Sequence, residues 1–189
     1  MPFVAAVGWW LAMVIATMLP WTGRDARWLA FRALPALRQQ AIAVFALAFL
    51  AVWAAAGAVA LLAVAPWQGE PAAVAPALAL AAAWQVAPAR RRALRRCGVS
   101  RAPAIRGRRA RADWARTGAV AGGRCVATCW AVMLPMAILH SPVLMLGAAL
   151  VVAGERRPAP NPERRGGRPA EALALLAGAV AFAALAAVG

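Results

Sequence analysis

The sequence predicts an all-α integral membrane protein, one transmembrane helical domain over residues 1–189 built as a bundle of six spans. Three observations predict it. Apolar residues make up 64% of the chain and charged residues 14%, against about half and about a quarter in soluble domains. The apolar residues come in long blocks rather than in amphipathic alternation, so water is not the main solvent. The basic residues, all of them arginine, fall almost entirely between those blocks, and Trp9, Trp10, Trp21, Trp67 and Trp84 sit near block ends, where an interfacial belt would hold them.

A span needs about 20 mostly apolar residues. The first is 3–21, closed by Pro20 and Trp21; without a basic leader or a small-residue cleavage site, it reads as a retained helix and not a signal peptide. The second, 41–65, is the longest and least interrupted. The third runs from Pro71 to Pro88 without a charge, and the fourth, 117–137, contains one charge, Arg124. The fifth, 139–153, is short and begins near the Ser141-Pro142 pair. The sixth, 170–188, is rich in Ala, Leu and Val.

Charge alternates between these blocks. Successive connecting segments carry 4, 0, 11, 0 and 5 arginines. Arginine accumulates in short cytoplasmic loops, so the odd segments are expected inside and both termini outside, in a bacterial cytoplasmic membrane. The basic loop 89–116 holds the eleven. Besides the lipid bilayer itself, the expected partners of this loop are anionic lipid head groups, each arginine contributing ~1 kcal/mol near such a surface. A net charge of +15 would suggest nucleic acid on a soluble domain, but here no reading motif or aromatic interleaving accompanies it, and no nucleic-acid partner is expected.

Residues that neither lipid nor core would select carry the functional signal. Cys125, Cys129, Met133, Met136 and His140 are spaced 4, 4, 3 and 4 apart. On a helix they fall within an arc of about 80° and cover roughly 22 Å. Thiolate, thioether and imidazole suit Cu(I) over hard cations. The same residues read as ordinary packing are the competing interpretation, since Met fills irregular gaps between helices, and Pro135 can bend the stripe. Arg124 either snorkels to the interface or favours the thiolate of Cys125. Met13 and Met18 in the first block reach the stripe only if the first and fourth helices pack together. Cys97, between Arg96 and Gly98 in the basic loop, is a thiol in a basic setting that could receive metal.

Catalytic constellations are absent. Apart from Glu171 at the very start of the sixth, no carboxylate lies inside a span, which argues against a proton relay. There is no Gly-rich phosphate loop and no Cys-x-x-Cys, and an i,i+4 cysteine pair on a helix is poor disulfide geometry. The chain is therefore expected not to be an enzyme.

Three patches resemble a bacterial family of uncharacterised integral membrane proteins described as predicted metal-binding. That family's first helix reads approximately Trp-x-x-Met-Met-x-Ala-Met-Met-x-Pro, matched here by Trp10, Met13, Ala16, Met18 and Pro20. A Tyr-Gln-x-x-Pro-x-Lys stretch leading to two cysteines is matched by Gln85, Pro88 and Cys97. The fourth-helix pattern Cys-x-Gly-Cys-Cys-Trp-Ala-x-Met is matched by Cys125, Cys129, Trp130, Ala131 and Met133. Val14 and Thr17 stand where the family has Met, Ala93 and Thr128 where it has Cys, and Trp84 where it has Tyr.

The expected function is a membrane-embedded soft-metal protein that binds or passes Cu(I), with Cys125 and Cys129 at the centre of the site, Met133 or Met18 as a third ligand, and a copper-dependent protein as partner. A structural or accessory membrane subunit without metal is the alternative. A small-solute transporter is a weaker one, because neither internal repeats nor intramembrane carboxylates are present.

Overall fold

The structure, a computed structural model, describes residues 3–95, 104, 107–156 and 169–188. Among them there are eight α-helices and no strand: α1 Phe3–Thr17, α2 Gly23–Arg32, α3 Arg38–Ala63, α4 Val74–Val86, α5 Pro88–Arg95, α6 Gly107–Ile138, α7 Pro142–Arg156 and α8 Pro169–Val188. The chain divides into two compact units, Met1–Ala58 with Gly98–Val126, and Val59–Cys97 with Ala127–Gly189.

Each of the six apolar blocks contains a helix, but the boundaries differ from the expected spans. Two helical stretches, Pro35–Ala63 and Gly107–Ile138, are long and apolar enough to cross a membrane. The other apolar helices are shorter over the described residues: Phe3–Thr17, Pro71–Val86, Pro142–Ala153 and Ala172–Ala181. The first block ends early because Pro20 lacks the N–H that would extend α1, and the chain turns instead into a 3-10 helix over Leu19–Thr22 that contains it. Three segments read as loops are helical, one of them Pro88–Arg95, which forms α5 in the basic loop. Residues 23–32 form α2, and residues 107–116 are the opening turns of α6, whose 32 residues span about 48 Å.

In the first unit, α3 buries one stripe at intervals of four: Ala41, Phe45, Phe49, Trp53 and Gly57. The matching stripe of α6 is Ala110, Trp114, Gly118 and Gly122. A Cβ on Gly118 would run into the backbone of Phe45, and one on Gly122 would stand 3.1 Å from the Phe49 carbonyl oxygen. Small residues four apart let two helix backbones touch. The end of this seam is closed by a core of Leu29, Ala33, Ala41, Phe45, Ala110 and Trp114. Asp113 ties the approach to α6 by accepting a hydrogen bond from the Ala104 N–H at 2.9 Å. Trp10, expected at an interface, is instead buried: its indole lies over Gly57 and donates to the Trp53 carbonyl at 3.0 Å.

In the second unit, α4 packs along α8 through small residues, with Val74, Ala77, Leu78 and Ala81 buried on one side and Ala172, Leu175 and Ala179 on the other. Gly69 adopts φ +87, a conformation that suits glycine, and its N–H bonds the Ile138 carbonyl at 2.8 Å. That bond satisfies one of the orphan acceptors at the end of α6.

Large apolar side chains also face outward. On α3 alone, Ile42, Leu47, Val59 and Leu62 are exposed, and α7 and α8 add Val143, Leu146, Leu150, Leu173 and Val180.

Candidate metal centre

The sulfur stripe lies on α6, and its helical part is buried throughout. Cys125, Cys129, Met133 and Met136 are all buried, on the face that continues the glycine seam of the same helix. Pro135 is accommodated inside α6 without ending it. The stripe stops short of His140, however. α6 ends at Ile138, and the backbone turns through Leu139–Ser141 before Pro142 opens α7. A residue preceding proline disfavours the helical conformation, and here the chain leaves the helix before Ser141. His140 therefore leaves the wheel on which the spacing placed it and sits half-buried in the turn.

In the first unit, Met18 meets Cys125. Met18 is the residue just past α1, held by a hydrogen bond from its N–H to the Val14 carbonyl at 2.8 Å. It is fully buried, and the Cys125 thiol donates to its thioether sulfur across 3.9 Å. The thiol and thioether are 107 residues apart in sequence, so this contact is made by tertiary packing of the first apolar helix against the fourth. Met13 is buried as well. Its carbonyl accepts a hydrogen bond from Thr17 Oγ1 at 2.8 Å, so Thr17, which stands in a family-like Met position, serves the backbone of its own helix. Arg124, beside Cys125, is half-buried.

In the second unit, Cys129 has a polar setting. The Thr128 hydroxyl lies 3.5 Å from Cys129 Sγ. Arg90, on α5, is 1% exposed and donates from Nε to the Thr128 carbonyl at 3.1 Å. Trp84 and Trp130 meet edge to face with centroids 5.3 Å apart. Gln85 is completely buried, with no hydrogen-bond partner for either amide atom among the described residues.

Burial of Arg90 is a feature that sequence reasoning missed, because Arg90 opens a run with Arg91 and Arg92, both of which are exposed. The available signal was its register. Counting from Gln85 and Pro88, Arg90 occupies the position where the resembling family has Lys. Cys97 lies outside the described residues.

Both described cysteines are thiols, not half-cystines. No group of three His, Cys, Asp or Glu side chains that could hold a metal ion occurs among the described residues. A site built from them draws on methionine, and thiolate with thioether is a donor set for soft, low-coordinate Cu(I).

No curated protein and no solved structure matches this chain. Residues 7–182 match the family model PpoB2, described as a copper chaperone, and the chain belongs to that family.

Proposed function

We propose that the chain is a membrane-embedded carrier of Cu(I), with the Cys125 and Cys129 thiolates at the centre of the site and the Met18 thioether as third ligand. The observation that carries this reading is the buried contact between Cys125 Sγ and Met18 Sδ at 3.9 Å. Packing alone does not require two sulfurs so far apart in sequence to meet, and one of them lies four residues before a second buried thiol on a continuous helix. An i,i+4 pair shares a helix face.

The chemistry is ligand exchange without redox change. Two thiols lose two protons and bind one Cu(I), leaving one net negative charge on the complex. The thioether completes a trigonal shell without adding charge. Being neutral and the weakest donor, it is the ligand that an incoming donor from a copper-dependent partner protein displaces, so the metal is passed on without being released to water. Zn(II), which prefers four ligands in a tetrahedron, is a poorer fit to this set. The chain carries its cargo and does not convert it.

The outward-facing apolar side chains of α3, α7 and α8 support the membrane part of the reading, because hydrocarbon is a more favourable surrounding for them than water. We read the six apolar helices as spans, with residues 89–116 on the cytoplasmic side and both termini outside. Arginine bias is the support for this orientation. The turns of α6 before residue 117 then project beyond the hydrocarbon, since about 48 Å of helix exceeds its ~30 Å thickness. An impermeant thiol reagent applied to intact spheroplasts should leave Cys97 unlabelled. Labelling there would overturn the orientation.

The metal reading is tested by titrating a competing Cu(I) chelator against the purified chain in detergent under reducing conditions. Wild type should retain one Cu(I) per chain, and Cys125→Ser should not. Equal retention by both would favour a membrane subunit in which these sulfurs only pack.

A further inference from the structure

Arg90 is buried while its neighbours Arg91 and Arg92 are exposed. Enclosing a guanidinium costs several kcal/mol unless something offsets it, and arginine does not escape that cost by losing its proton. Its Nε donates to the Thr128 carbonyl at 3.1 Å. That carbonyl belongs to the peptide unit joining Thr128 to Cys129, so the cation sits against the backbone of a cysteine. The Thr128 hydroxyl is 3.5 Å from the same cysteine's sulfur. Once the sulfur is a metal-bound thiolate it can only accept, and the hydroxyl must donate.

We infer that Arg90 is the counter-cation of the copper-loaded Cys129 thiolate, a positioning residue that lets the site carry its net negative charge away from water. The inference rests on the reading of Cys129 as a ligand. Two thiolates and one Cu(I) leave one negative charge, and one guanidinium balances it. Arg124, next to Cys125, is half-buried, whereas Arg90 is enclosed by the protein. The arrangement also gives Thr128 a task. In place of a further sulfur ligand, it supplies a donor that orients the sulfur already there, as outer-shell groups do at metal sites.

The test compares wild type, Arg90→Met, Arg90→Lys and Cys129→Ser as full-length purified chains, by Cu(I) chelator competition and by thermal unfolding with and without Cu(I). Replacing a buried charge with a packed apolar side chain often preserves stability, so Arg90→Met should unfold near the wild-type temperature without metal. It should bind Cu(I) about 10- to 100-fold more weakly, in the range outer-shell changes produce, and its copper-induced thermal shift should shrink accordingly. Arg90→Lys should recover most of the affinity. Should Arg90→Met fail to fold, Arg90→Gln takes its place with the same expectations. Wild-type affinity in the neutral variant, with copper lost in Cys129→Ser, would overturn the role of Arg90 alone. The same holds if the Lys variant binds as weakly as the neutral one and both lose metal-free stability, which marks a structural residue. Wild-type copper affinity in Cys129→Ser would overturn the ligand reading and this inference with it.

Discussion

Cys125 and Cys129 stand one turn apart on α6, yet their surroundings differ in kind. Cys125 is met by another sulfur, the fully buried Met18, at 3.9 Å. It follows a stretch of helix where Gly118 and Gly122 bring backbones together. Cys129 is met by a hydroxyl at 3.5 Å, and the carbonyl of the preceding residue holds a buried arginine. The first setting offers a second sulfur; the second supplies a hydrogen-bond donor and a buried cation. A low-coordinate Cu(I) bound by two thiolates needs both, because sulfur selects the metal and the cation offsets the charge that the thiolates bring. On the proposed reading, exchange of the neutral ligand falls on the Cys125 side and charge balance on the Cys129 side.

The largest expected effect tests whether the two settings serve one metal. Replacing either cysteine by serine removes a thiolate, and each change should cost more than about a hundredfold in Cu(I) affinity, or roughly 2.7 kcal/mol. Chelator competition on the two single variants measures this directly. Near-equal losses support a shared two-thiolate site. Loss confined to Cys125→Ser would reduce the site to the Cys125–Met18 pair and dissolve the comparison.

A second change breaks only the Cys125 side. Gly118→Val would place side-chain atoms against the Phe45 backbone, and a backbone has no rotamer by which to yield. Overpacking of this kind typically costs 1–3 kcal/mol, so a thermal midpoint several degrees below wild type is expected in detergent. Gly123→Ala, five residues on along α6, exposed and with open space around its Cβ position, should have an unchanged midpoint. If both variants matched wild type, the close approach of α3 and α6 in the first unit would be wrong.

Much of this was legible in the sequence, and the gaps have physical reasons. The all-α class and the buried face of α6 followed from block length and from the 4, 4, 3 spacing of Cys125, Cys129, Met133 and Met136, because helical periodicity is a local property. Met18 could be named but not assigned to Cys125, since a contact across 107 residues depends on how helices pack. His140 was misread because the same period was continued past Ile138, through a turn that the Ser141-Pro142 pair signals. The helix α2 was missed since its arginines were read as loop charge, although Trp28, Leu29 and Phe31 stand among them. Arg90 was hidden among eleven arginines of like composition, and only its enclosure by the fold separates it from Arg91.

A third change sharpens the soft side. Met18→Leu keeps volume and apolarity, so its structural cost should stay below about 1.5 kcal/mol. It removes the thioether that meets Cys125. Cu(I) affinity should fall about tenfold, or roughly 1.4 kcal/mol, with a two-coordinate copper site in X-ray absorption where wild type shows three sulfurs. Met133→Leu, which leaves the Cys125–Met18 contact in place, should fall less. A larger loss at Met133 than at Met18 would move the third ligand to the Cys129 side.

The smallest expected effect concerns the Thr128 hydroxyl, and it addresses the polar side without touching a ligand or a charge. Thr128→Val keeps the branched shape and deletes the oxygen 3.5 Å from Cys129 Sγ. The Arg90 bond is made to the Thr128 carbonyl, so the backbone partner of the guanidinium survives the change. What is lost is one donor to a metal-bound thiolate. A hydrogen bond to a neutral group contributes about 0.5–1.5 kcal/mol net, and more when its partner is charged. The Cu(I) affinity of Thr128→Val should therefore drop severalfold, by less than either cysteine variant and by no more than Arg90→Met. Metal-free stability should move little, because a neutral thiol is a weak acceptor when no metal is bound. Measuring Thr128→Val in an Arg90→Met background separates the two contributions. If hydroxyl and cation act on the same thiolate charge, their losses should fall short of additive or exceed it by 0.5 kcal/mol or more, as coupled groups do. Strict additivity would make Thr128 and Arg90 independent neighbours of Cys129 and leave the charge balance to Arg90 alone.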